Sequence, residues 1–148
     1  MNLLEVFNDM PEYVLIKMRD DFPEYKKGQD MDIVCRDVDK VIFYLKEYFY
    51  DKYIIDISSS SLDHFHFDCL EKSGKLELRF DLYGKFISDK FTRELMDNKE
   101  TMRFNGGDVC VPMPAYEGVI KCWEFLLNGK EKYGEYIIFK NTLVEYTK

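Results

Sequence analysis

Two carboxylates, Asp30 and Asp32, flank Met31 at the start of a predicted strand. Residues i and i+2 of a strand point to the same face, so the two carboxylates are predicted to lie side by side. Like charges this close need a cation, and a hard ion such as Mg²⁺ binds carboxylate oxygens while keeping positions for water and phosphate. The spacing therefore indicates metal-assisted phosphoryl or nucleotidyl transfer. The simpler alternative is a strand start with both charges facing water.

A third carboxylate, Asp81, lies in the clearest predicted strand, residues 76–83. Apolar residues alternate there with polar ones along the sequence LELRFDLY, which is typical of a strand with one buried face. Neighbouring strands lie about 4.8 Å apart. Asp81 is therefore predicted to complete a one- or two-metal site with Asp30 and Asp32.

The preceding predicted strand, His64 to Leu70, connects to this one through Ser73-Gly74. A two-residue hairpin loop at that position would place His66 opposite Asp81 and Asp68 opposite Arg79. His66 would then orient Asp81 or lie near a substrate. Asp68 and Arg79 are predicted to form a cross-strand salt bridge. His64 is predicted to be a surface residue.

The remaining pattern predicts elements that alternate between helix and strand around these residues. The predictions are a helix capped by Asn2 and ended by Pro11, strands over 13–18, 30–35 and 53–58, a loop over 19–29, and a helix that begins at Asp37 or Val38. Further along the chain come a short helix over 90–97, a turn at 106–108, a strand over 109–113 and a helix from Pro114 to Asn128. The tail from 132 to 146 fits a helix or a strand, and the helix is favoured.

Two stretches resemble a known family. Gly28–Val34 (GQDMDIV) followed by a helix, together with Leu78–Leu82 (LRFDL), resembles the nucleotidyltransferase superfamily that shares a DNA polymerase β-like palm. The stretch 13–34 looks most like small nucleotidyltransferase-like proteins found among bacterial surface-polysaccharide genes. The resemblance covers roughly residues 10 to 84.

The resemblance implies an α/β (α+β) nucleotidyltransferase fold, with a mixed β-sheet and helices packed mainly on one face. It also implies that Asp30, Asp32 and Asp81 hold Mg²⁺, or Mn²⁺, for attack on a nucleoside triphosphate. Asp81 would be the general base.

The sequence departs from the family at the phosphate-binding motif. Family members usually carry Gly-Ser or Gly-Gly about ten residues before the paired acids, whereas this chain has Lys17-Met18-Arg19-Asp20-Asp21. Contacts to a triphosphate would then come from Lys17, Arg19 or the pair Lys26-Lys27. The lysines at 121, 130 and 132 lie where the C-terminal helices of the family often bring a lysine near phosphates, although helix-edge lysines are usually just solvated.

Length and composition narrow the remaining choices. The chain has 148 residues and a net charge of −7, with a pI near 4.9. One domain over 1–148 is expected, with a palm core over about 10–84 and a helical part over about 85–148. The acidic balance argues against a polynucleotide partner and favours a small acceptor such as a sugar or sugar phosphate. The four cysteines form no C-x-x-C pair, so we expect reduced thiols rather than a zinc site or disulfides.

Two functional hypotheses follow. The first is a Mg²⁺-dependent nucleotidyltransferase, cytoplasmic and without a membrane span, that acts on a nucleoside triphosphate and a small acceptor. The second is a non-catalytic nucleotide- or metal-binding module of the same fold, which would work as a homodimer or with a partner chain. A structural subunit that binds neither ligand is a third reading.

Overall fold

The computed structural model describes all 148 residues. The helices are α1 (Leu3–Asn8), α2 (Val38–Phe49), α3 (Asp89–Asp97), α4 (Pro114–Asn128) and α5 (Lys140–Tyr146), and a 3-10 segment spans Glu131–Phe139. The strands are β1 (Tyr13–Ile16), β2 (Gln29–Cys35), β3 (Ile54–Ser61), β4 (His64–Leu70), β5 (Leu76–Tyr83), β6 (Glu100–Phe104) and β7 (Gly107–Val111). Strands β1 to β5 form a mixed sheet in the order β1-β2-β5-β4-β3. The predicted α+β class with a mixed sheet is confirmed.

The hairpin between β4 and β5 has the predicted register, with His66 opposite Asp81. Its loop is one residue longer than predicted, because the Glu71 amide donates to the carbonyl of Lys75 and leaves residues 72–74 in the turn. Gly74 adopts a φ of 90°, a left-handed conformation that suits glycine. A β-bulge next to Cys69 absorbs the extra residue and restores the predicted pairing along the rest of the hairpin.

Helix α2 packs on one face of the sheet, as its apolar periodicity predicts. Asp37 caps the helix by accepting a hydrogen bond from the Lys40 amide. Val41, Leu45 and Phe49 are fully buried. They belong to the larger core, which also includes α1 and the inward-facing residues of the sheet.

The opposite face of the sheet carries a second core. Val14, Ile16 and Val34 point to this face from β1 and β2, and they pack with buried residues of α3, α4 and α5. Helices α3, α4 and α5 therefore cover the acidic face of the sheet at its β1 end. The prediction placed the helices mainly on the opposite face, where α2 packs. The acidic face is covered because the broad apolar face of α4 has to be buried.

The C-terminal part follows the predicted order. Helix α4 begins at Pro114 and ends before Gly129, whose φ of 65° is the left-handed C-terminal cap. The tail is mainly helical, first as the 3-10 segment, which is kinked at Tyr133, and then as α5. The ring of Phe139 lies directly over Gly118 of α4.

Strand β6 was not predicted from the sequence. β6 pairs antiparallel with β7, the strand predicted after the turn at 106–108. Four of the five β6 residues are exposed. Its sequence ETMRF has only two apolar residues, Met102 and Phe104, and this alternation is too short to distinguish a strand from a loop. None of the helices is both long enough and apolar enough to span a membrane.

Candidate functional site

Parallel pairing between β2 and β5 sets the positions of the predicted carboxylates. Asp32 is the register partner of Asp81, and Asp30 is the partner of Arg79. Register partners on adjacent strands point to the same face, and Asp30 lies two residues before Asp32 on that face. Met31 and Ile33 alternate with them and are buried on the other face. The strand alternation thus separates the core from the carboxylates.

Asp32 is held by two side chains. The Lys17 ammonium lies 3.4 Å from its Oδ2, and the Tyr83 hydroxyl donates to its Oδ1 at 3.2 Å. Burial raises the pKa of Asp32, the neighbouring negative charge of Asp81 raises it further, and Lys17 opposes both effects only in part. The charged form of Asp32 is therefore destabilised by its surroundings in the folded protein.

Lys17 connects Asp32 to helix α4. Its Nζ donates to Glu124 Oε1 at 2.8 Å, and the side chain of Glu124 is only 5% exposed. Burial alone would lower the pKa of Lys17, but Asp32 and Glu124 outweigh that effect and leave the pKa raised. Lys17 has a φ of 53°, so the chain turns sharply at the end of β1 and directs this side chain back over the sheet.

Glu124 did not emerge from the sequence. The available signal was a single acidic residue within the apolar face of α4, four residues after the fully buried Ile120. A charged residue at such a position requires a partner when the helix packs. Lys17 is that partner, and Asn128 donates a further hydrogen bond to Glu124 at 2.9 Å.

Two histidines contact Asp81. His64 Nε2 lies 3.0 Å from Asp81 Oδ1, and His66 Nδ1 lies 3.6 Å from the same oxygen. The prediction that His64 is a surface residue is wrong: its ring stacks on Tyr83 with centroids 4.1 Å apart, and its side chain is 23% exposed. The register pairs His64 with Tyr83, and the imidazole leans along the strand to reach Asp81.

Asp68 is engaged by Arg79, as predicted. The Arg79 guanidinium donates to both carboxylate oxygens, at 2.7 and 2.9 Å. This two-point contact raises the pKa of Arg79 and satisfies Asp68, which is buried. Asp68 is therefore not a free metal ligand.

A cleft of about 490 Å³ opens beside Asp30 and Asp32. Six cationic side chains line it against three carboxylates, in a chain whose net charge is −7. The cations are Lys17, Arg19, Lys26, Lys27, Lys130 and Lys132, and the carboxylates are Asp30, Asp32 and Glu124. We refer to this feature as the cationic cleft.

The cations of the cleft fall into two groups. Lys17, Arg19 and Lys27 form ion pairs with carboxylates of the chain. Lys26, Lys130 and Lys132 form none, so their ammonium groups are available to an anionic ligand. The third lysine considered in the sequence, Lys121, lines an adjoining cleft and forms an ion pair with Glu117 at 3.2 Å.

The structure brings the predicted residues together in two sets. Lys17, Arg19, Asp30 and Asp32 line the cationic cleft. Asp81 and His66 lie on the neighbouring strands β5 and β4 and do not line that cleft. The three predicted carboxylates do not bring their oxygens within 4.8 Å of one another as a trio, whereas His64, His66 and Asp81 do bring their ligand atoms that close.

No protein-family model matches the chain, and no curated protein matches it. Among solved structures, the chain is similar to an antigenic nucleotidyltransferase-like protein from Paracoccidioides brasiliensis, at 14% sequence identity and a TM-score of 0.49. The match covers 90% of this chain and 67% of that one.

Proposed function

We propose that this protein is a Mg²⁺-dependent nucleotidyltransferase that moves a nucleoside monophosphate from a nucleoside triphosphate to a small acceptor, such as a sugar or sugar phosphate. One observation carries the proposal. Asp30 and Asp32 line a cleft in which three lysines have no ion-pair partner. Carboxylates beside free cations are what a metal-bound polyphosphate requires.

The three proposed ligands offer carboxylate oxygens, the donor type that a hard divalent ion prefers, although their oxygens do not lie within 4.8 Å of one another as a trio. Asp32 and Asp81 are register partners on adjacent strands, and Asp30 shares their face. The Lys17 ammonium beside Asp32 indicates that this face needs a positive charge even without a ligand. Asp30, Asp32 and Asp81 would hold Mg²⁺, or Mn²⁺ in its place, which would neutralise the phosphates and acidify the attacking hydroxyl.

The residues of the chain have separate roles in this proposal. Lys26, Lys130 and Lys132 bind the phosphates and offset the charge of the pyrophosphate leaving group. Lys17 and Arg19 follow β1, at the position where the nucleotidyltransferase superfamily usually carries Gly-Ser or Gly-Gly. Lys17 holds Asp32 in position, and Arg19 supplies a further donor after release from Asp21.

Asp81 is the proposed general base for the acceptor hydroxyl. Its Oδ1 lies 3.0 Å from His64 Nε2, so a proton that Asp81 accepts has a path to an imidazole that is partly exposed to solvent. His66 Nδ1 lies 3.6 Å from the same oxygen and helps to orient the carboxylate. A small acceptor suits a chain whose net charge is −7.

The test is a transfer assay with each of the four nucleoside triphosphates, Mg²⁺ and a panel of sugar and sugar-phosphate acceptors, read out as pyrophosphate release. We expect Asp30→Asn to lower the rate by at least about 100-fold, within the range seen when charge stabilisation of the transition state is removed. Glu47→Gln removes an exposed carboxylate on α2 and serves as the matched control. Full Mg²⁺-dependent transfer by Asp30→Asn would overturn the assignment.

A second candidate is a non-catalytic module that binds nucleotide in the same cleft. A specific observation favours it: Lys17 already forms ion pairs with Asp32 and Glu124, while both histidines contact Asp81. If these contacts persist with ligand bound, the carboxylates hold the nucleotide complex without promoting transfer. Nucleotide binding without pyrophosphate release, with every acceptor, would select this candidate.

A further inference from the structure

The two histidines of the chain both lie in one cluster with Asp81. The sequence contains only His64 and His66, placed two residues apart on β4 so that both imidazoles are on the polar face. Asp81 is brought to them by the β4–β5 register. This clustering is separate from the cationic cleft, which none of the three residues lines.

The geometry points to a transition-metal site, and we propose that His64, His66 and Asp81 bind Zn²⁺ as a two-histidine, one-carboxylate set. His64 Nε2 and His66 Nδ1 lie 3.0 and 3.6 Å from Asp81 Oδ1, and all three ligand atoms lie within 4.8 Å of one another. Zinc bonds of about 2.0–2.1 Å in a tetrahedron separate neighbouring ligand atoms by about 3.3 Å. The observed separations lie on both sides of that value.

The ligand atoms of this cluster favour a transition metal over Mg²⁺. Mg²⁺ prefers oxygen ligands, whereas imidazole favours zinc and other first-row transition metals. The same three atoms could instead form only a hydrogen-bonded cluster.

The surroundings favour a site with an open coordination position. The side chains of His64 and His66 are 23% and 22% exposed, whereas that of Asp81 is 8% exposed. Three protein ligands and an exposed fourth position are characteristic of zinc sites that accept water or an oxygen ligand.

Tyr83 also fixes the orientation of one proposed ligand, His64. Tyr83 stacks on His64 with an interplanar angle of 12° and donates its hydroxyl to Asp32. Contacts of this kind fix the orientation of an imidazole before a metal arrives. Tyr83 therefore connects the proposed zinc site to Asp32. The zinc site does not include the lysines of the cationic cleft.

The experiment is a titration of the tag-free protein with Zn²⁺ alone, followed by the ring nitrogen signals of its two histidines in NMR. The expected result is saturable binding of one equivalent, with the largest changes at His64 Nε2 and His66 Nδ1. Changes at only one histidine, or changes that do not saturate, would overturn the proposal. This readout uses the unmodified chain, so it does not depend on a variant that folds.

Variants separate this site from the proposed transferase site. Co²⁺ replaces Zn²⁺ as an absorbing probe, and we expect His66→Gln to weaken its binding by roughly 100-fold, at the upper end of the loss seen when a supporting residue alone is removed. Asp30→Asn should bind Co²⁺ normally, and Cys110→Ser should do the same if no thiol takes part. Unchanged Co²⁺ binding by His66→Gln would contradict the proposal.

The two proposals can fail independently. Both proposals use Asp81, so a bound zinc ion would compete with Mg²⁺ for that carboxylate, but zinc binding at the histidines does not itself require nucleotidyl transfer. Mg²⁺-dependent nucleotide binding in a protein that fails to bind Zn²⁺ would overturn the zinc site alone. Zinc binding in a protein that binds no nucleoside triphosphate would overturn the proposed function alone.

Discussion

At the scale of single residues, the polar face of the sheet is organised by pairs of opposite charge. Lys17 lies between Asp32 and Glu124, and Arg79 holds Asp68 by two hydrogen bonds. Pairs in such partly buried positions stabilise a fold only while both members are present. Two substitutions test this organisation directly.

Lys17→Met should destabilise the protein strongly. It leaves Glu124, with a side chain only 5% exposed, without a cation, and we expect the free energy of unfolding to fall by about 3 kcal/mol. Urea unfolding at pH 7 measures the change. Because the pKa of Lys17 is raised, the ion pair contributes fully at neutral pH and is lost only as the pH rises through that pKa.

The matched control removes both charges. Lys17→Met/Glu124→Leu removes the more deeply buried of the two carboxylates that Lys17 contacts. Part of the lost stability should therefore return, while Asp32 still lacks its cation. A cost below about 0.5 kcal/mol for Lys17→Met, the usual size of a surface substitution, would show that the pair is not structural.

Asp32→Asn should have the opposite effect on stability. The folded chain binds the Asp32 proton more tightly than the unfolded chain, because burial raises its pKa. The charged form therefore lowers the free energy of unfolding above that raised pKa, and the penalty disappears as the pH falls below about 3.9, the ordinary value for aspartate.

We therefore expect Asp32→Asn to unfold at a higher urea concentration than the wild type at pH 7, with the difference narrowing towards pH 4. Glu47→Gln, at an exposed position, should track the wild type throughout. An Asp32→Asn protein less stable than the wild type at pH 7 would mean that the Lys17 contact outweighs the cost of burial. A carboxylate kept at a cost to stability is characteristic of a functional position.

At the scale of elements, the close approach of the 3-10 segment to α4 fixes where the C-terminal lysines lie. A methyl group at Gly118 would overlap the ring of Phe139. Gly118→Ala should therefore lower the free energy of unfolding by about 1–3 kcal/mol, although alanine is the better helix former. Urea unfolding measures the loss.

A smaller side chain at position 139 provides the control for this contact. Gly118→Ala/Phe139→Leu should recover part of the lost stability, because the leucine side chain leaves room for the added methyl. A Gly118→Ala protein as stable as the wild type would show that the segment moves freely away from α4.

The individual strands and helices differ in how well the sequence predicts them. The strands β4 and β5 were predicted with their observed bounds, because their alternation reports a single buried face and their turn carries a glycine. β6 was not predicted, because it is exposed on nearly all its positions. The helices over the acidic face were predicted as elements, but their location depends on contacts between α4 and the sheet that no local pattern encodes.

The candidate site was predictable to a similar degree. Asp30 and Asp32 emerged from their spacing, and Asp81 from its strand face. Glu124 and His64 did not, because the partner of each is distant in sequence or lies diagonally across a strand pair. The prediction that three carboxylates form a one- or two-metal site remains a prediction, since Lys17 and the histidines contact two of them.

At the scale of the whole molecule, charge is distributed unevenly. The chain carries a net charge of −7, yet the cationic cleft holds six cations against three carboxylates. Such a surface attracts a small polyphosphate to one location while it repels an extended polyanion.

We therefore expect single-stranded RNA not to bind at about 0.15 M salt, a concentration that screens charges beyond roughly 8 Å. Fluorescence anisotropy of a labelled oligonucleotide measures this, with a nucleoside triphosphate and Mg²⁺ as the positive comparison. Displacement of bound nucleotide by RNA at a similar concentration would contradict the expectation.

The most direct test of the central claim is calorimetric titration of the wild type with ATP, CTP, GTP and UTP, each with and without Mg²⁺. We predict that at least one triphosphate binds at one equivalent and only with Mg²⁺. Affinity should fall by about tenfold or more, equivalent to 1.4 kcal/mol, in Asp30→Asn and in Lys130→Ala/Lys132→Ala. Lys40→Ala/Lys46→Ala, which removes two lysines from α2, should bind like the wild type. Equal binding by Asp30→Asn and the wild type, or no binding of any triphosphate, would contradict the account.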